Sequence, residues 1–453
     1  MRRVGGGQPM GNRVGNDQAV VSSGIFRTGW PFAGAMLVLL VGCWLSTGTL
    51  APYAATQASP LELPCGYLAN TDHFFHLQPF LMLEGAPPEQ WQSALMLRRI
   101  LYPLLAWPLV ATLGILWGGL LINVLLTVAG VVVWILFIYR REGRAGAIAS
   151  AWLLATYPGI MYWVGLPYSY AVIVPATLVG CIGLFVISEE SCSLRQLFLL
   201  SSGIGVLFIA YDGLLNTLVP AALWILWRQR RVSRIPLALV GLVWPTVLTL
   251  AVLHWGLGVR LDNSNSQTYR IILDSWLHIM TAWPDVLQNV AHLPLLAIRN
   301  YFYSNFFFLP LSFLVFHLLM RRCGGIRYHV VEEGIMVATV FFFLFLNLAP
   351  HYPGWQMRGE WIARLYQPVF VVFVVYLSRG FGRLPRSSGL RRMAVVVVGA
   401  TVLANGWIVF GGLHGSAITD LAYQRFYQHT PPFRYSYHLE KYGIRPLGFC
   451  RQP

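Results

Sequence analysis

The chain has 453 residues, of which 56% are hydrophobic and only 11% charged, and its formal net charge is +15. Its mean hydropathy is +0.59. A water-soluble domain carries roughly 25% charged residues, so this composition excludes a soluble globular protein and points to an all-α polytopic integral membrane protein.

Spanning a ~30 Å hydrocarbon core takes ~20 apolar residues in a helix, because every backbone N–H and C=O must be paired internally. Residues 1–30 are polar and Gly-rich and carry Arg2, Arg3, Arg13 and Arg27, which predicts a disordered basic N-terminus. The first apolar run, 31–51, ends in APYAATQA, which resembles a signal-peptide cleavage region; its length favours an uncleaved span. A polar and aromatic segment follows from 52 to 114. Its FFHLQPFLML stretch suits a helix lying along the membrane surface, and Ile100–Leu113 is too short to span and predicts a lumen-side helix.

Further runs at 115–139, 145–163, 168–188, 196–211, 213–228 and 235–256 lead to a second long loop, 257–299. Runs at 300–320, 331–349, 362–378 and 393–412 complete about eleven spans within a transmembrane domain of 31–412. The tail, 413–453, alternates Tyr and Phe with Arg and His, as an aromatic belt or a sugar-stacking surface would.

Basic residues are retained on the cytoplasmic side. With the N-terminus inside, 20 of the 32 Lys and Arg but only 6 of the 17 acids fall in cytoplasmic segments, among them Arg140, Arg141, Arg144, Arg228, Arg379 and Arg383. The positive charge is therefore a topology signal, and no nucleic-acid partner is expected. The C-terminus is expected to be extracytoplasmic, where Cys65 and Cys450 either pair or stay as separate thiols.

Candidate chemistry lies in the outer segments. Asp72, beside His73 and close to His76 in TDHFFH, is placed to take a proton from a hydroxyl or to hold a divalent metal. The same residue is also a natural helix N-cap. Arg98 and Arg99 break the positive-inside bias, and two adjacent guanidinium groups suit either a phosphate ligand or lipid headgroups. Asp212 in AYDGLLN is a turn residue or a second carboxylate facing the site. In HYPGWQMRGEWIARLYQP, Arg358, Glu360 and Arg364 form an outer cluster in which Arg364 meets Glu360 or an anion. There is no Walker pattern, HExxH or zinc-spaced cysteine pair, so no cofactor is expected beyond a metal at Asp72, and the energy for any reaction must arrive in the substrate.

Several segments together resemble the GT-C superfamily of polytopic glycosyltransferases, distantly like GPI mannosyltransferases. They are Asp72 and His73 in TDHFF, Arg99 to Leu105 in RILYPLL, LLATYPG, AYDGLLNTLVPAAL, and Arg364 to Pro368 in RLYQP. The likeness covers the first half of the chain in motifs and the second half only in layout. Many members carry an acidic pair where this chain has Asp-His. The resemblance implies an inverting transfer of a sugar from a polyprenyl-phosphate donor on the extracytoplasmic face, with Asp72 as base and the outer arginines meeting the phosphate. A membrane transporter and a ligase of lipid-linked glycans remain alternatives. The lack of Asn-x-Ser/Thr and the use of Arg over Lys lean toward a bacterial inner membrane.

Overall fold

The computed structural model describes residues 29–47, 72–91, 95–164, 169–259, 308–322, 328–348, 359–384 and 389–413, with five isolated helical positions between 277 and 290. Among these residues every regular element is helical. The N-terminal 28 residues, the tail and both candidate disulfide cysteines, Cys65 and Cys450, lie outside them.

The elements are α1 (Trp30–Thr47), α2 (Asp72–Glu84), α3 (Leu101–Ala155), α4 (Pro158–Val164), α5 (Ile173–Ile187) and α6 (Leu194–Ala210). There follow α7 (Leu215–Arg228), α8 (Ile235–Ala251), α9 (Phe308–Arg322), α10 (Val330–Leu348), α11 (Gly359–Arg383) and α12 (Gly389–Leu413). Among the described residues three helical stretches are both long and apolar enough to cross a membrane: Leu101–Ala155, Ser169–Ile187 and Val232–Gly256.

The longest of these is not one rod. Gly114 (φ 78°, ψ 165°) and Gly143 (φ 81°, ψ −176°) leave helical geometry, in a region of the Ramachandran map open essentially to glycine alone. The first arm, 101–113, therefore folds back on the second. A Cβ on Gly118 would lie 2.5 Å from the backbone of Leu109, and Tyr102 Oη donates to Asn123 Oδ1 at 2.9 Å. The short helix expected at Ile100–Leu113 is this first arm. A further break at Thr156 and Tyr157 divides the stretch read as a single run from 145 to 163. Helix α4 restarts at Pro158, where a missing N–H costs nothing at a first helical position.

Helix α5 runs through the centre, with most of its side chains buried, including Leu178, Cys181, Leu184 and Phe185 at 0% exposure. A span buried all round has no polar face to show, and its sequence, IVPATLVGCIGLFVI, has none. By contrast α8 and α12 expose Val240, Trp244, Val247, Val396, Leu403 and Trp407, the surface expected of helices facing acyl chains. From Tyr170 to Glu189 the chain rises about 28 Å at 1.5 Å per residue, close to the ~30 Å of a hydrocarbon core.

Both ends of that rise carry buried charge. At the Glu189 end, turns far apart in sequence meet. Arg141 Nη1 donates to Glu189 Oε1 at 3.0 Å, and Arg379 Nε to Glu142 Oε1 at 2.9 Å. Arg379 Nη1 reaches Glu332 Oε1 at 2.6 Å, and Arg383 Nε reaches Glu142 Oε2 at 2.7 Å. Arg231 and Arg234 close the same end on the carbonyls of Glu189 and Cys192. These turns are among those whose arginines mark them as one face in the sequence, and the structure brings them to one end of the bundle.

Candidate functional site

The opposite end is built on the turn Leu95–Arg99, which enters α3, and on the turn Asp212–Leu214, which joins α6 to α7. A small apolar cluster of Trp91, Leu97, Ile100, Ile209, Leu253 and Val259 clamps the first turn onto the ends of α6 and α8. Tyr211 leaves helical geometry in an extended conformation (φ −154°, ψ 107°), which ends α6 and turns Asp212 inward. Gly213 lets the Tyr211 ring fold over this turn, since a Cβ there would sit 2.4 Å from the ring.

Asp212 receives two of the arginines that the sequence singles out, Arg98 and Arg99. Arg98 Nε donates to Oδ2 in a very short contact, while Arg99 Nε donates to Oδ1 at 2.7 Å and Arg99 Nη2 reaches the same oxygen at 2.6 Å. The three side chains are 5%, 9% and 13% exposed. Arg99 also lies over two aromatic faces, 4.6 Å from the Tyr211 centroid and 5.6 Å from that of Tyr170. These contacts help a buried cation tolerate its lost hydration. Tyr170 packs edge-on against Trp163 at 4.8 Å and against Tyr211 at 5.8 Å, so the cradle is itself held by α4 and the end of α6.

Burial alone would raise the Asp212 pKa, but the charges and hydrogen bonds of Arg98 and Arg99 outweigh it and hold the carboxyl well below the usual carboxylate range. Burial likewise opposes the charged form of Arg99, yet Asp212 raises its pKa overall. The cluster thus gathers two guanidinium groups on one carboxylate. Among the described residues Arg99 Nη1 is buried and has no hydrogen-bond acceptor, an expensive state for a guanidinium N–H.

Helix α2 begins at Asp72, so the helix starts one residue earlier than a cap at that position would have it. It packs against the Leu95–Arg99 turn and the first arm of α3, with the Phe80 ring edge-on to Tyr102 at 6.4 Å. Asp72 stands about 12 Å along the helix from Phe80, at 1.5 Å per residue. The side chains of Asp72, His73 and His76 lie outside the described set. So does Arg358, and Glu360 and Arg364 are described only as backbone in the first turns of α11.

The structure thus joins Arg98, Arg99 and Asp212 into one cluster. Tyr170 and Tyr211 belong to it without having been singled out in the sequence; the only signal was the aromatic preceding the acid in AYDG. Among the described residues no group of three or more His, Cys, Asp or Glu could hold a metal ion. No known family model, curated protein or solved structure matches the chain.

Proposed function

We propose that the protein is a polytopic membrane glycosyltransferase that moves a sugar, with inversion, from a polyprenyl-phosphate donor to an acceptor on the extracytoplasmic face. On this reading about eleven helices cross a bacterial inner membrane, with the N-terminus cytoplasmic and the C-terminus extracytoplasmic. One observation carries the proposal: the Arg98–Asp212–Arg99 cluster buries two guanidinium groups on one carboxylate at one end of the bundle, beside the helix that begins with Asp72.

In the proposed step Asp72 accepts the proton of the acceptor hydroxyl as its oxygen attacks the anomeric carbon. The bond from that carbon to the phosphate oxygen breaks, and polyprenyl phosphate leaves with the electron pair. Guanidinium charge fixed in a dry site stabilises the negative charge that grows on the leaving oxygen. A phosphate leaving group needs little protonation, so one base suffices. The membrane lipid is both solvent and carrier for the donor, and the bond energy of the donor drives the transfer.

Charge placement favours this over transport. A transporter usually carries ionisable groups near mid-depth, whereas the two buried charge clusters here stand at opposite ends of α5. A ligase of lipid-linked glycans would share the donor chemistry and is separated by the identity of the product. The test uses purified full-length protein in liposomes with radiolabelled polyprenyl-phosphate mannose and polyprenyl-phosphate glucose. Asp72→Asn should lose about 10²–10⁴-fold in transfer, the usual worth of a general base, with an unchanged melting temperature. Undiminished turnover in that variant removes Asp72 from the reaction.

A further inference from the structure

Beyond Ala251, helix α8 widens into one turn of π-helix, Val252–Gly256, a local geometry that recurs at functional sites. Leu253 is buried in the apolar cluster with Leu97, Ile100 and Ile209, so this turn is pinned to the residues that flank Arg98 and Arg99 in the chain. Gly258, at φ 68°, then reverses the backbone. Its N–H and that of Val259 close on the carbonyls of His254 and Leu253 at 3.1 and 3.0 Å. The reversal brings the Val259 carbonyl back to the His254 ring, 2.9 Å from Nδ1.

A carbonyl oxygen only accepts, so Nδ1 carries the hydrogen, and in the neutral imidazole Nε2 is left as an acceptor. The His254 side chain is exposed, and the next residue, Trp255, is 82% exposed. Their rings stand side by side, 6.1 Å between centroids and inclined by 52°. An indole face with an oriented acceptor beside it has the chemistry that recognises a sugar: the C–H face of a pyranose packs on the indole, and a hydroxyl donates to the imidazole nitrogen.

We infer that His254 and Trp255 form a carbohydrate subsite at the rim of the guanidinium cluster, with Trp255 stacking on a sugar ring and His254 Nε2 accepting from one of its hydroxyls. The class of ligand rests on the transferase reading, which the subsite deepens by naming the residues that hold a sugar. A tryptophan that only anchors the chain at the lipid boundary has no use for an oriented imidazole next to it. The apolar cluster beneath the pair is also where the parts of the proposed reaction meet. Met82 packs on it from the helix that begins with Asp72, while Leu97, Ile100 and Ile209 belong to the turns and helix ends that carry Arg98, Arg99 and Asp212. The donor's sugar and a sugar of the acceptor present the same ring face, and competition tells them apart.

The experiment uses full-length protein in phosphatidylcholine nanodiscs and saturation-transfer NMR. The probes are methyl α-mannopyranoside and sorbitol, a polyol with hydroxyls but no ring face. Wild type should saturate the C–H protons of the mannoside and leave sorbitol unsaturated. Trp255→Ala should weaken mannoside binding by about five- to tenfold, whereas Trp255→Phe keeps a stacking face and should lose less. His254→Asn keeps an N–H for the Val259 carbonyl but has no atom at the Nε2 position; it should bind about three- to tenfold more weakly with an unchanged melting temperature. His254→Gln keeps a polar end at the Nε2 position and gives up the Val259 contact, so it should melt earlier yet bind better than His254→Asn. An imidazole that only caps the helix would show the Gln melting defect with no change in sugar binding in either variant.

Preloading with polyprenyl-phosphate mannose, but not with polyprenyl phosphate, displaces the mannoside if the donor's sugar fills the subsite. Displacement by neither assigns the subsite to the acceptor, and displacement by both overturns a subsite separate from the phosphate. Absence of mannoside saturation in wild type, equal saturation of sorbitol, or unchanged binding in Trp255→Ala and His254→Asn overturns the proposal. Mannoside binding that depends on both residues, in a protein that transfers no sugar from polyprenyl-phosphate mannose, would sink the transferase reading and leave the subsite standing. Undiminished transfer with unchanged mannoside binding in both variants would do the opposite.

Discussion

Replacing Arg379 with Met should destabilise the bundle from its other end. Arg379 is 1% exposed and holds two carboxylates, Glu142 at 2.9 Å and Glu332 at 2.6 Å. The two losses are unequal. Glu142 keeps Arg383 at 2.7 Å, whereas Glu332 keeps only the backbone N–H of His329, at 2.8 Å. Opposite charges at about 4 Å attract by about 4 kcal/mol at an effective dielectric of about 20, and removing one partner of a buried pair costs about 3–5 kcal/mol. Most of that cost is the stranded Glu332 carboxylate. Adding Glu332→Gln to Arg379→Met should therefore return about half of the lost stability, although each substitution alone destabilises. The assay is thermal unfolding in detergent at one fixed scan rate, followed by tryptophan fluorescence. For a chain of this size 1 kcal/mol moves the midpoint by about 1–2 °C, extending the trend of smaller domains, so Arg379→Met should fall by about 3–10 °C. A shift of under about 1 °C, or a double variant that falls by the sum of the singles, would refute the electrostatic account of this end.

Three further outcomes are expected. Gly114→Ala forces a Cβ into φ 78°, ψ 165° and should cost about 1–3 kcal/mol, read as an earlier melt. Burial, with Arg379, Arg141 and Arg383 nearby, brings the His329 imidazole down to about 4. Above pH 6.5 the unfolded chain and the folded protein are both neutral at this residue and its contribution is complete; as pH falls from 6.5 to 4 the unfolded chain takes the proton first and stability declines. The full difference amounts to about 3 kcal/mol, reduced to about 1–2 kcal/mol by solvent screening of a partly exposed ring. His329→Gln should flatten that part of the curve of melting temperature against pH, and an unchanged slope would assign it to other groups. Asp212→Ala should strand Arg98 and Arg99 together and cost about 3–5 kcal/mol, more than Asp212→Asn, which keeps an acceptor oxygen; equal melts for the two would show that charge and hydrogen bonding at this position are not what holds the turn.

Helix positions were legible because lipid and core burial both demand long apolar runs, and charge or proline bounds them. The runs 168–188 and 213–228 match Ser169–Ile187 and Asp212–Arg228 to within a residue or two. What composition does not encode is where a continuous run folds on itself. Nothing in VATLGILWGG distinguishes a glycine that packs in a helix from Gly114, which reverses it. The site residues Arg98, Arg99 and Asp212 were visible as charges out of place, but their partnership was not, because Asp212 lies 114 residues beyond Arg98. Arg379 and Glu142 are 237 residues apart, and the sequence shows Arg379 as part of a basic face rather than of a buried pair. Sequence periodicity reports environment along one element, while an ion pair between elements depends on packing that no single segment contains.

The two charged ends differ in a way that bears on function. At the Glu142 end the buried side chains of Arg379, Glu142 and Glu332, with Arg141, Arg383 and Glu189 at the margin, balance three cations with three anions, and Arg379 is shared between two carboxylates. Such a network holds turns together. At the Arg99 end Arg98 and Arg99 share the Asp212 carboxylate, and Arg99 also lies against two tyrosine faces. Were stability the sole requirement, replacing Arg99 by an apolar residue would serve at least as well, since a buried ion pair rarely improves on good apolar packing. Two buried guanidinium groups gathered on one carboxylate are what an anion-binding end would require. An Arg99→Leu variant that melts at or above wild type while losing polyprenyl-phosphate mannose would separate the two roles, and one that melts lower and still binds would assign Arg99 to the scaffold.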